Sequence, residues 1–457
     1  MQHPKLQQAS AIIPDAAQRA ARYLEGLDQR AVIPSAGAIE QLSQLDGPLP
    51  LDPCSASEVL ACMDELASPA TIATAGARYF GFVIGGTLPA ALGANMLAAA
   101  WDQVAGLERT SPAAVQMERV AGRWLLEALS FPASHCVSFT SGATMANFSG
   151  LLAARHALLE QRGWDVERDG LFGAPPIDVI VGDEVHASVI KALGMIGFGR
   201  ERILRVPIDD QGRMRVDRLP TIDESSLVII QAGNVNTGAF DAGEEIIEHC
   251  QHSGSWVHVD GAFGLWAAAA PGRAHLMRGF ERADSFSVDG HKWLNVPYDS
   301  GMAICRHPET LRAAMSIHAP YLVKHEIPDP ADHTPEMSRR GRGIEVWAAL
   351  KSLGRSGLAD LIEGCCVHAT RLAEGLAAQG HEVLNQVELN QVLVSFGSDA
   401  ETERAIAAIQ ADGICWASGT TWRGRSALRL SVSSWATTED DIERSLESLL
   451  RNARPRA

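Results

Sequence analysis

The stretch Ser285-Phe-Ser-Val-Asp-Gly-His-Lys-Trp293 joins a short, mostly apolar run to a lysine that a tryptophan follows at once. A short run of this kind predicts a buried strand, which places Lys292 just beyond the strand's carboxyl end. Apolar surroundings can lower the pKa of a lysine, so that its neutral amine is available as a nucleophile for Schiff-base formation. A lone lysine is far more often an ordinary surface residue, so the neighbouring segments must decide between the two interpretations.

Short apolar runs alternate with helical stretches from residue 135 to residue 306. This alternation is typical of a mostly parallel sheet with helices on both faces. Strands in such a sheet are buried on both sides, which explains uninterrupted apolar runs such as Leu227-Val-Ile-Ile230. The predicted strands are Cys136–Phe139, Asp178–Val181, Ile203–Val206, Leu227–Gln231, Trp256–Val259, Ser285–Val288 and Met302–Cys305.

Residues 1–85 show helical patterns and no strand pattern. The segments Ala16–Leu27 and Ala56–Leu66 are rich in Ala, Leu and Glu, and prolines separate them. The next stretch, Leu88–Trp101, is the most apolar of the chain but is shorter than the roughly 20 residues needed to cross a bilayer. We therefore expect it to form a core helix.

The segment Pro320–Gly343 is rich in Pro, Asp and Arg and lacks periodicity, so it is either a mobile loop with a function or solvated surface. The pattern beyond it predicts a small α/β domain. Its predicted elements are the helices Ile344–Leu353 and Leu358–Ala378, the strands Val392–Phe396 and Leu428–Val432, and the helix Thr438–Arg451. We divide the chain into a helical segment (1–85), a large domain (86–345) and a small domain (346–457).

Composition excludes several classes of partner. The net charge of −16, from 39 basic and 55 acidic residues, argues against nucleic acid and against an anionic membrane surface. The eight cysteines are scattered, without the spacing of a zinc site, which predicts buried free thiols, a reducing cytoplasm and no metal. The first residues lack the basic-then-apolar pattern of a secretory signal, in agreement with a cytoplasmic location.

The segment Val137–Asn147 contains small residues between a predicted strand and an Ala-rich helix. Small residues allow close backbone approach, and the first N–H groups of a helix can receive a phosphate. An ordinary helix cap is the alternative interpretation. No Walker lysine follows and no G-x-G-x-x-G lies at a strand-to-helix turn, so ATP and dinucleotide sites are disfavoured.

A second segment, Trp256–Gly264, places Asp260 at the carboxyl end of a buried strand, where open α/β sheets bind ligands. An unpaired buried carboxylate is costly, and a protonated pyridine nitrogen would neutralise it. A lone aspartate here is more often a helix cap or half of an ion pair. The order of phosphate turn, strand-end Asp260 and strand-end Lys292 favours one cofactor site over three unrelated features.

These motifs resemble those of a known family. Four segments carry the likeness: Thr140–Asn147, Asp183-Glu-Val-His186, His258-Val-Asp-Gly-Ala262 and Asp289-Gly-His-Lys-Trp293. From about residue 70 to 440 the chain resembles the group II pyridoxal-phosphate (PLP) dependent amino-acid decarboxylases, which include the aromatic amino-acid, histidine, glutamate and tyrosine decarboxylases. The resemblance implies fold type I, the α/β fold of the aspartate aminotransferases, with PLP as the cofactor.

The resemblance also implies a role for each matching residue. Lys292 would carry the cofactor as an internal aldimine, and Asp260 would face the pyridine nitrogen. The other implied cofactor residues are Ala143 and Thr144 at the phosphate, His291 beside that group, His186 stacked on the ring, Ala262 on the opposite face, and Asn234 where the family often has threonine. Arg429 would bind the substrate carboxylate, although it also fits an ordinary strand arginine.

The implied reaction converts an L-amino acid into its amine and carbon dioxide through an external aldimine and a quinonoid. The family builds its sites at the interface of a homodimer, with the N-terminal helices on the partner subunit. Candidate substrate-side residues are Tyr79, Phe80, Phe82 and Trp101, each of which could equally be a core residue.

The loop departs from the family pattern, because the family has a loop tyrosine and none lies between Lys324 and Gly343. His333 stands at about that place and could donate the proton instead. Two other reactions on the same scaffold therefore stay open: aldolase-type cleavage of a β-hydroxy amino acid, and decarboxylation coupled to oxidative deamination. The sequence does not identify the side chain that the enzyme accepts.

Overall fold

A computed structural model describes residues 4–317 and 328–453, and it contains a seven-stranded sheet. Its order is β1-β7-β6-β5-β4-β2-β3. Strands β2 to β6 pair in parallel, whereas β7 runs antiparallel to both β1 and β6. The strands are β1 (Cys136–Thr140), β2 (Asp178–Gly182), β3 (Leu204–Val206), β4 (Ser226–Gln231), β5 (Trp256–Asp260), β6 (Ser285–Asp289) and β7 (Gly301–Cys305). All seven predicted strands are confirmed, and each end differs by at most one residue.

Helices cover both faces of this sheet, as predicted. Alternate residues of a strand point to opposite faces, so Ile180 packs with one apolar cluster and Val179 with another. The first cluster includes α5, α9 and α11, and the second includes α6, α8 and α10. The α-helices of the described residues are α1 (Pro4–Glu25), α2 (Ala36–Gln41), α3 (Ala56–Cys62), α4 (Pro89–Trp101), α5 (Pro112–Ala128), α6 (Ala143–Glu160), α7 (Val166–Asp169), α8 (Ala187–Met195), α9 (Gly243–Cys250), α10 (Pro308–Met315), α11 (Gly343–Ala378), α12 (Asp399–Asp412) and α13 (Glu439–Ala453).

The C-terminal part forms a second, antiparallel sheet of order β10-β11-β9-β8. Its strands are β8 (Glu382–Val383), β9 (Gln391–Ser395), β10 (Ser418–Trp422) and β11 (Arg425–Ser431). Sequence reasoning missed β8, which has two residues, and β10, which is not an apolar run. Helix α11 breaks at Gly354, between the two helices predicted there. The domain boundaries themselves stay an interpretation.

The prediction for the apolar stretch before the sheet was half wrong. A helix forms there, but within α4 only Ala91 is buried. Its large apolar side chains Met96, Leu97 and Trp101 are exposed. Apolar composition indicates that a surface should be covered, but it does not say by which part of which chain. Helix α4 is therefore not a core helix of the single chain.

The cysteines and the absence of a membrane span were also predicted from the sequence. All eight cysteines are free thiols, but Cys54 and Cys62 are exposed, contrary to the expectation of burial. Within the described residues no helix combines the length and the hydropathy needed to cross a bilayer. The cytoplasmic location stays a prediction. Residues 320–327 of the predicted loop lie outside the described residues.

Candidate active site

Most of the predicted cofactor residues lie where the parallel strands of the large sheet end, at their carboxyl termini, and we call this place the edge. Strands β1, β2, β5 and β6 run in the same direction, so their carboxyl ends meet at that edge. The residue that follows each strand therefore faces a common space. This geometry brings together Ala143 and Thr144 after β1, His186 after β2, Asp260 and Ala262 at the end of β5, and His291 and Lys292 after β6.

Lys292 lies beside a buried carboxylate and the start of a helix. Its Nζ is 3.0 Å from Oδ2 of Asp289, and about a fifth of the lysine side chain is exposed. The other carboxylate oxygen of Asp289 accepts a hydrogen bond from the backbone N–H of Ala143, at 2.5 Å. The amine is thus held at the N-terminus of α6, the place predicted for a phosphate.

The turn before α6 depends on close backbone approach. A Cβ atom at Gly142 would lie 3.0 Å from Cε1 of His291, and one at Gly301 would lie 2.4 Å from the backbone of Gly142. The Nδ1 atom of His291 accepts the backbone N–H of Ser300 at 3.1 Å, and its ring stacks on Tyr298 at 4.1 Å between centroids. The imidazole therefore stands fixed next to the first turn of α6.

Asp260 is a buried carboxylate that has only neutral donors around it. It accepts hydrogen bonds from the Ala262 N–H (3.2 Å), the Ser287 hydroxyl (3.3 Å) and the Asn147 amide (3.4 Å). Among the described residues no lysine, arginine or histidine forms an ion pair with it. A buried anion without a counter-charge is costly, so the site suits a ligand that brings a positive charge to this point.

His186 begins α8, and its ring is held through Nδ1. This nitrogen accepts the backbone N–H of Ser188 at 3.3 Å and lies 2.7 Å from the hydroxyl of the same serine. Burial lowers the pKa of His186, and the nearby carboxylate of Asp260 opposes that shift. The ring is therefore neutral near neutral pH.

These residues fit PLP. The first turn of α6, whose cap residue Gly142 has no side chain to block it, would hold the phosphate. The amine of Lys292 would bond to the aldehyde carbon, and Asp260 would gain its missing counter-charge from a protonated ring nitrogen. Each of these three features has a chemical need that the cofactor satisfies.

On the substrate side, Arg429 is a buried cation for which no carboxylate partner exists among the described residues. Only 8% of this residue is exposed. Its Nη1 donates to the backbone oxygen of Val235 (3.3 Å) and to Oδ1 of Asn236 (3.4 Å), while its Nε has no partner. Burial lowers the pKa of this guanidinium. Because an unpaired buried charge is costly, the arrangement suits an anionic ligand.

Three aromatic rings, which we call the aromatic wall, lie next to this arginine. Tyr79 stacks on Trp416 at 5.0 Å and Phe82 stacks on the same ring at 5.8 Å, while the guanidinium of Arg429 lies 5.8 Å from the ring of Phe82. A Cβ atom at Gly81 would lie 2.2 Å from the ring of Trp416, so this packing requires glycine there.

Tyr79 and Phe82 are candidate residues of the sequence, whereas Trp416 was missed. Tyr79 is only 4% exposed and belongs to a buried apolar cluster, and the contact of either residue with substrate stays a prediction. Backbone hydrogen bonds bring Trp416 to the N-terminal segment: the Phe80 N–H donates to its carbonyl, and its N–H donates to the carbonyl of Arg78. No motif marks Trp416 in the sequence. Phe80 itself is a buried core residue, 1% exposed, as its alternative interpretation had it.

Of the remaining predicted residues, Asn234 also follows a strand of the parallel set, β4, whereas His333 and Trp101 do not follow a strand of the sheet. His333 lines a cavity of about 310 Å³ together with His135, Ser138 and Arg339, between α5 and β1. Trp101 ends the exposed helix α4. The side-chain oxygen of Asn234 accepts the backbone N–H groups of the turn that follows it. The functional roles of these three residues stay predictions.

Comparison with known proteins adds the family. Residues 62–398 match the family model described as the pyridoxal-dependent decarboxylase conserved domain. An aromatic-L-amino-acid decarboxylase from Bacillus atrophaeus is 29% identical over 382 residues, covering 77% of this chain and 75% of the relative. An aspartate 1-decarboxylase from Aliivibrio fischeri is 30% identical over 270 residues, covering 55% of this chain and 49% of the relative.

A solved structure is similar over nearly its whole length. The crystal structure of Oryza sativa TDC with PLP and tryptamine superimposes with a TM-score of 0.90 at 22% identity, covering 99% of each chain. At this level of identity the similarity establishes the fold. The predicted fold type I is confirmed.

Proposed function

The chain belongs to the pyridoxal-dependent decarboxylase family, and on that premise we propose that it converts an aromatic L-amino acid into the corresponding amine and carbon dioxide. The enzyme is a PLP-dependent carboxy-lyase that acts on an amino acid. The choice of an aromatic substrate depends on one observation, the contact between the aromatic wall and the unpaired cation of Arg429.

Arg429 supports binding of a single carboxylate. Its two acceptors, the Val235 carbonyl and the Asn236 amide, are neutral, so an incoming carboxylate would supply the missing charge. Of the described residues, no other arginine or lysine makes a cation–π contact with Tyr79, Phe82 or Trp416. A second carboxylate on the substrate side chain would therefore lack a partner at the wall, which favours an aromatic side chain over an acidic one.

The wall itself suits a flat apolar side chain. Stacked and tilted ring pairs contribute about 0.5–1.5 kcal/mol beyond the area that they bury. Phe82 is 54% exposed in the single chain, so its ring is available for such a contact. Several relatives are named aromatic-L-amino-acid decarboxylases, which agrees with this choice, although others are named for aspartate and diaminobutyrate.

Each residue at the edge has a task in this reaction. Bound PLP draws electrons from whichever Cα bond of the substrate stands perpendicular to its ring. Lys292 would hold the cofactor and later displace the product, and Asp260 would keep a proton on the ring nitrogen. His186 would restrict how the substrate lies against the ring, while Arg429 and the aromatic wall would orient the carboxylate and exclude water.

We also propose that the enzyme is a homodimer with the site at the subunit interface. Helix α4 presents Met96, Leu97 and Trp101 to the outside of the single chain, and Leu49 and Leu51 are almost fully exposed. Exposed apolar surface of this kind marks protein interfaces. In such a dimer the N-terminal helical segment would pack on the partner subunit. The loop that carries His333 would then reach the active site at the subunit interface.

A substrate screen tests the proposed function. The purified holoenzyme is incubated with each of the twenty L-amino acids and with several β-hydroxy analogues, and products are identified by mass spectrometry. We expect aromatic amino acids to yield amine and carbon dioxide in equal amounts. Turnover of acidic or basic amino acids in preference to aromatic ones would contradict the proposal.

The same screen separates the alternative reactions. Aldehyde and glycine from a β-hydroxy amino acid would indicate aldolase-type cleavage, whereas aldehyde and ammonia with consumption of oxygen would indicate oxidative deamination. Either result as the main reaction would overturn simple decarboxylation.

A further inference from the structure

A row of polar side chains lies buried between the large sheet and α6. Trp256, His258 and Asp260 alternate along β5, so they point to the same face. In the parallel register His258 lies opposite Ser285 of β6. His258 and Ser285 are fully buried, as is Asn147 of α6. Buried polar groups need hydrogen-bond partners, and these side chains are partners of one another.

The hydrogen bonds of this row run in one direction. The indole N–H of Trp256 can only donate, and it donates to the Ser285 hydroxyl at 2.9 Å. The single hydrogen of that hydroxyl then goes to Nδ1 of His258, at 2.8 Å. The other ring nitrogen sets the tautomer: Nε2 of His258 lies 2.8 Å from Oδ1 of Asn147, so it carries the proton and donates to that oxygen.

The amide of Asn147 divides the hydrogen-bond network into two arms. Its two N–H hydrogens are directed to Oδ2 of Asp260 and to the hydroxyl of Ser188, each at 3.4 Å. The Ser188 hydroxyl, having accepted one hydrogen, donates its own to Nδ1 of His186, at 2.7 Å. The backbone N–H of Ser188 donates to the same nitrogen. His186 therefore carries its proton on Nε2.

The carboxylate end of the network fixes this direction, and the indole end is compatible with it. An indole has no acceptor at one end, and an ionised carboxylate has no donor at the other. A reversed Asn147 amide would turn its oxygen toward the carboxylate of Asp260 and its N–H groups toward His258. The arrangement described is the one in which every donor meets an acceptor.

We propose that Asn147 is a positioning residue that couples Asp260 and His186, so that the two groups expected to touch the cofactor ring are oriented by one amide. One arm turns the carboxylate of Asp260 so that it can face the ring nitrogen. The other arm fixes His186 as the Nε2–H tautomer, which makes this histidine a hydrogen-bond donor and not a proton acceptor. The proposal depends on the cofactor and not on which amino acid the enzyme accepts.

Packing and protonation support this network. A Cβ atom at Gly150 of α6 would lie 2.7 Å from Cε1 of His258, so the helix approaches the ring as closely as glycine allows. Burial also lowers the pKa of His258 to about 4, opposed by the charge of Asp260. The ring is therefore neutral at neutral pH, as a single N–H requires.

Cofactor affinity gives the first test. Asn147→Asp keeps the size of the side chain but replaces its two donors with a carboxylate oxygen that faces Asp260. The apoenzyme is titrated with PLP, and binding is followed by the quenching of tryptophan fluorescence. We expect affinity about ten- to a hundredfold weaker than in the wild type, since hydrogen bonds to a charged group are lost.

A second variant and a control make this test decisive. Ser285→Ala interrupts the row upstream without adding charge, and it should weaken PLP binding roughly two- to tenfold. Ser149→Ala is the matched control, because among the described residues this buried hydroxyl of α6 bonds only to the carbonyl of Met145. It should bind PLP as the wild type does. Circular dichroism confirms folding, and wild-type affinity in both Asn147→Asp and Ser285→Ala would overturn the proposal.

Histidine tautomers give a readout that a merely structural role would not change. In ¹⁵N-histidine-labelled apoenzyme, two-bond proton–nitrogen correlations should show Nε2–H for both His186 and His258, assigned through His186→Gln and His258→Gln. Ser188→Ala removes the hydroxyl but keeps the backbone N–H that also donates to Nδ1. It should therefore weaken the preference for Nε2–H at His186, seen as a larger share of the Nδ1–H tautomer, and leave His258 unchanged. A wild-type His186 that carries its proton on Nδ1 would refute the coupling. A substrate other than an aromatic amino acid would alter neither measurement.

Discussion

The cofactor edge and the aromatic wall of this enzyme are built in opposite ways. At the edge, the residues that follow β1, β5 and β6 hold each other through hydrogen bonds, and Lys292, Asp289 and Ala143 form one connected group. At the wall, rings from the N-terminal segment and the small domain meet an arginine whose Nε has no partner. Both places hold a buried charge without a counter-ion among the described residues, Asp260 at the edge and Arg429 beside the wall. Only the edge groups are tied to one another, which suits a resident cofactor at the edge and a substrate that is released after each turnover at the wall.

The largest effect is expected at the edge, from Lys292→Ala. Loss of the amine removes the group that bonds to the cofactor, so turnover should fall by roughly a thousandfold or more. Borohydride reduction followed by intact-protein mass spectrometry should show no covalent cofactor. Lys191→Ala, at an exposed position of α8, is the control and should keep the adduct. A reducible adduct that persists in Lys292→Ala would place the reactive lysine elsewhere.

At the wall, Arg429→Met should raise the KM for the amino acid with little change in PLP affinity. Loss of charge-assisted hydrogen bonds to a carboxylate corresponds to about a ten- to hundredfold effect. Steady-state kinetics measure this, with decarboxylation followed by carbon dioxide release. Arg425→Met is the matched control on the same strand, since Arg425 is exposed and pairs with Glu382.

The thermodynamic stability of Arg429→Met sharpens the comparison. Because the wild-type arginine is buried without an anion, its removal should leave the free energy of unfolding unchanged or increase it. A marked loss of stability with an unchanged KM would show that Arg429 is a structural residue and that the wall is not the carboxylate site.

The smallest expected effect is the contribution of His258, in β5, to the pH dependence of the free energy of unfolding. Burial lowers the pKa of His258 from 6.5 to about 4, so between these values the unfolded chain binds a proton that the folded chain does not. The free energy of unfolding should therefore fall as the pH falls through this window, and His258 should contribute about 2 kcal/mol of that loss between pH 7 and pH 5.

Comparison with His258→Gln isolates this contribution. Buried Asp241 has its pKa raised to about 6, so its effect on stability has the opposite sign, but it is the same in both proteins and cancels in the difference. Urea denaturation at the two pH values measures the effect. Equal pH dependence in the wild type and His258→Gln would show that His258 is not a buried neutral group.

The large sheet could be predicted to within one residue because strands buried on both faces must be apolar throughout, and that pattern is visible in the chain itself. Lys292 and Asp260 could be predicted for a related reason, since each lies at or just past the end of a strand, whereas His186 was implied by the family resemblance. The roles of all three residues stay predictions. The small domain was harder, because β8 has two residues and β10 exposes Gly419 and Thr421, so that neither is an apolar run.

The sequence by itself thus determined the mostly parallel sheet, because that depends on local apolar runs, and the family resemblance of its motifs implied fold type I and PLP. The residues that would hold the cofactor stay predictions. Three features are visible only in the tertiary structure. Trp416 stacks on Tyr79, one face of α4 is exposed, and His333 lines a cavity between α5 and β1. The tertiary structure also joined Asn147 to both Asp260 and His186. These features arise from contacts between segments far apart in the chain, and the burial or partner that a side chain acquires in such contacts is not encoded in its local pattern.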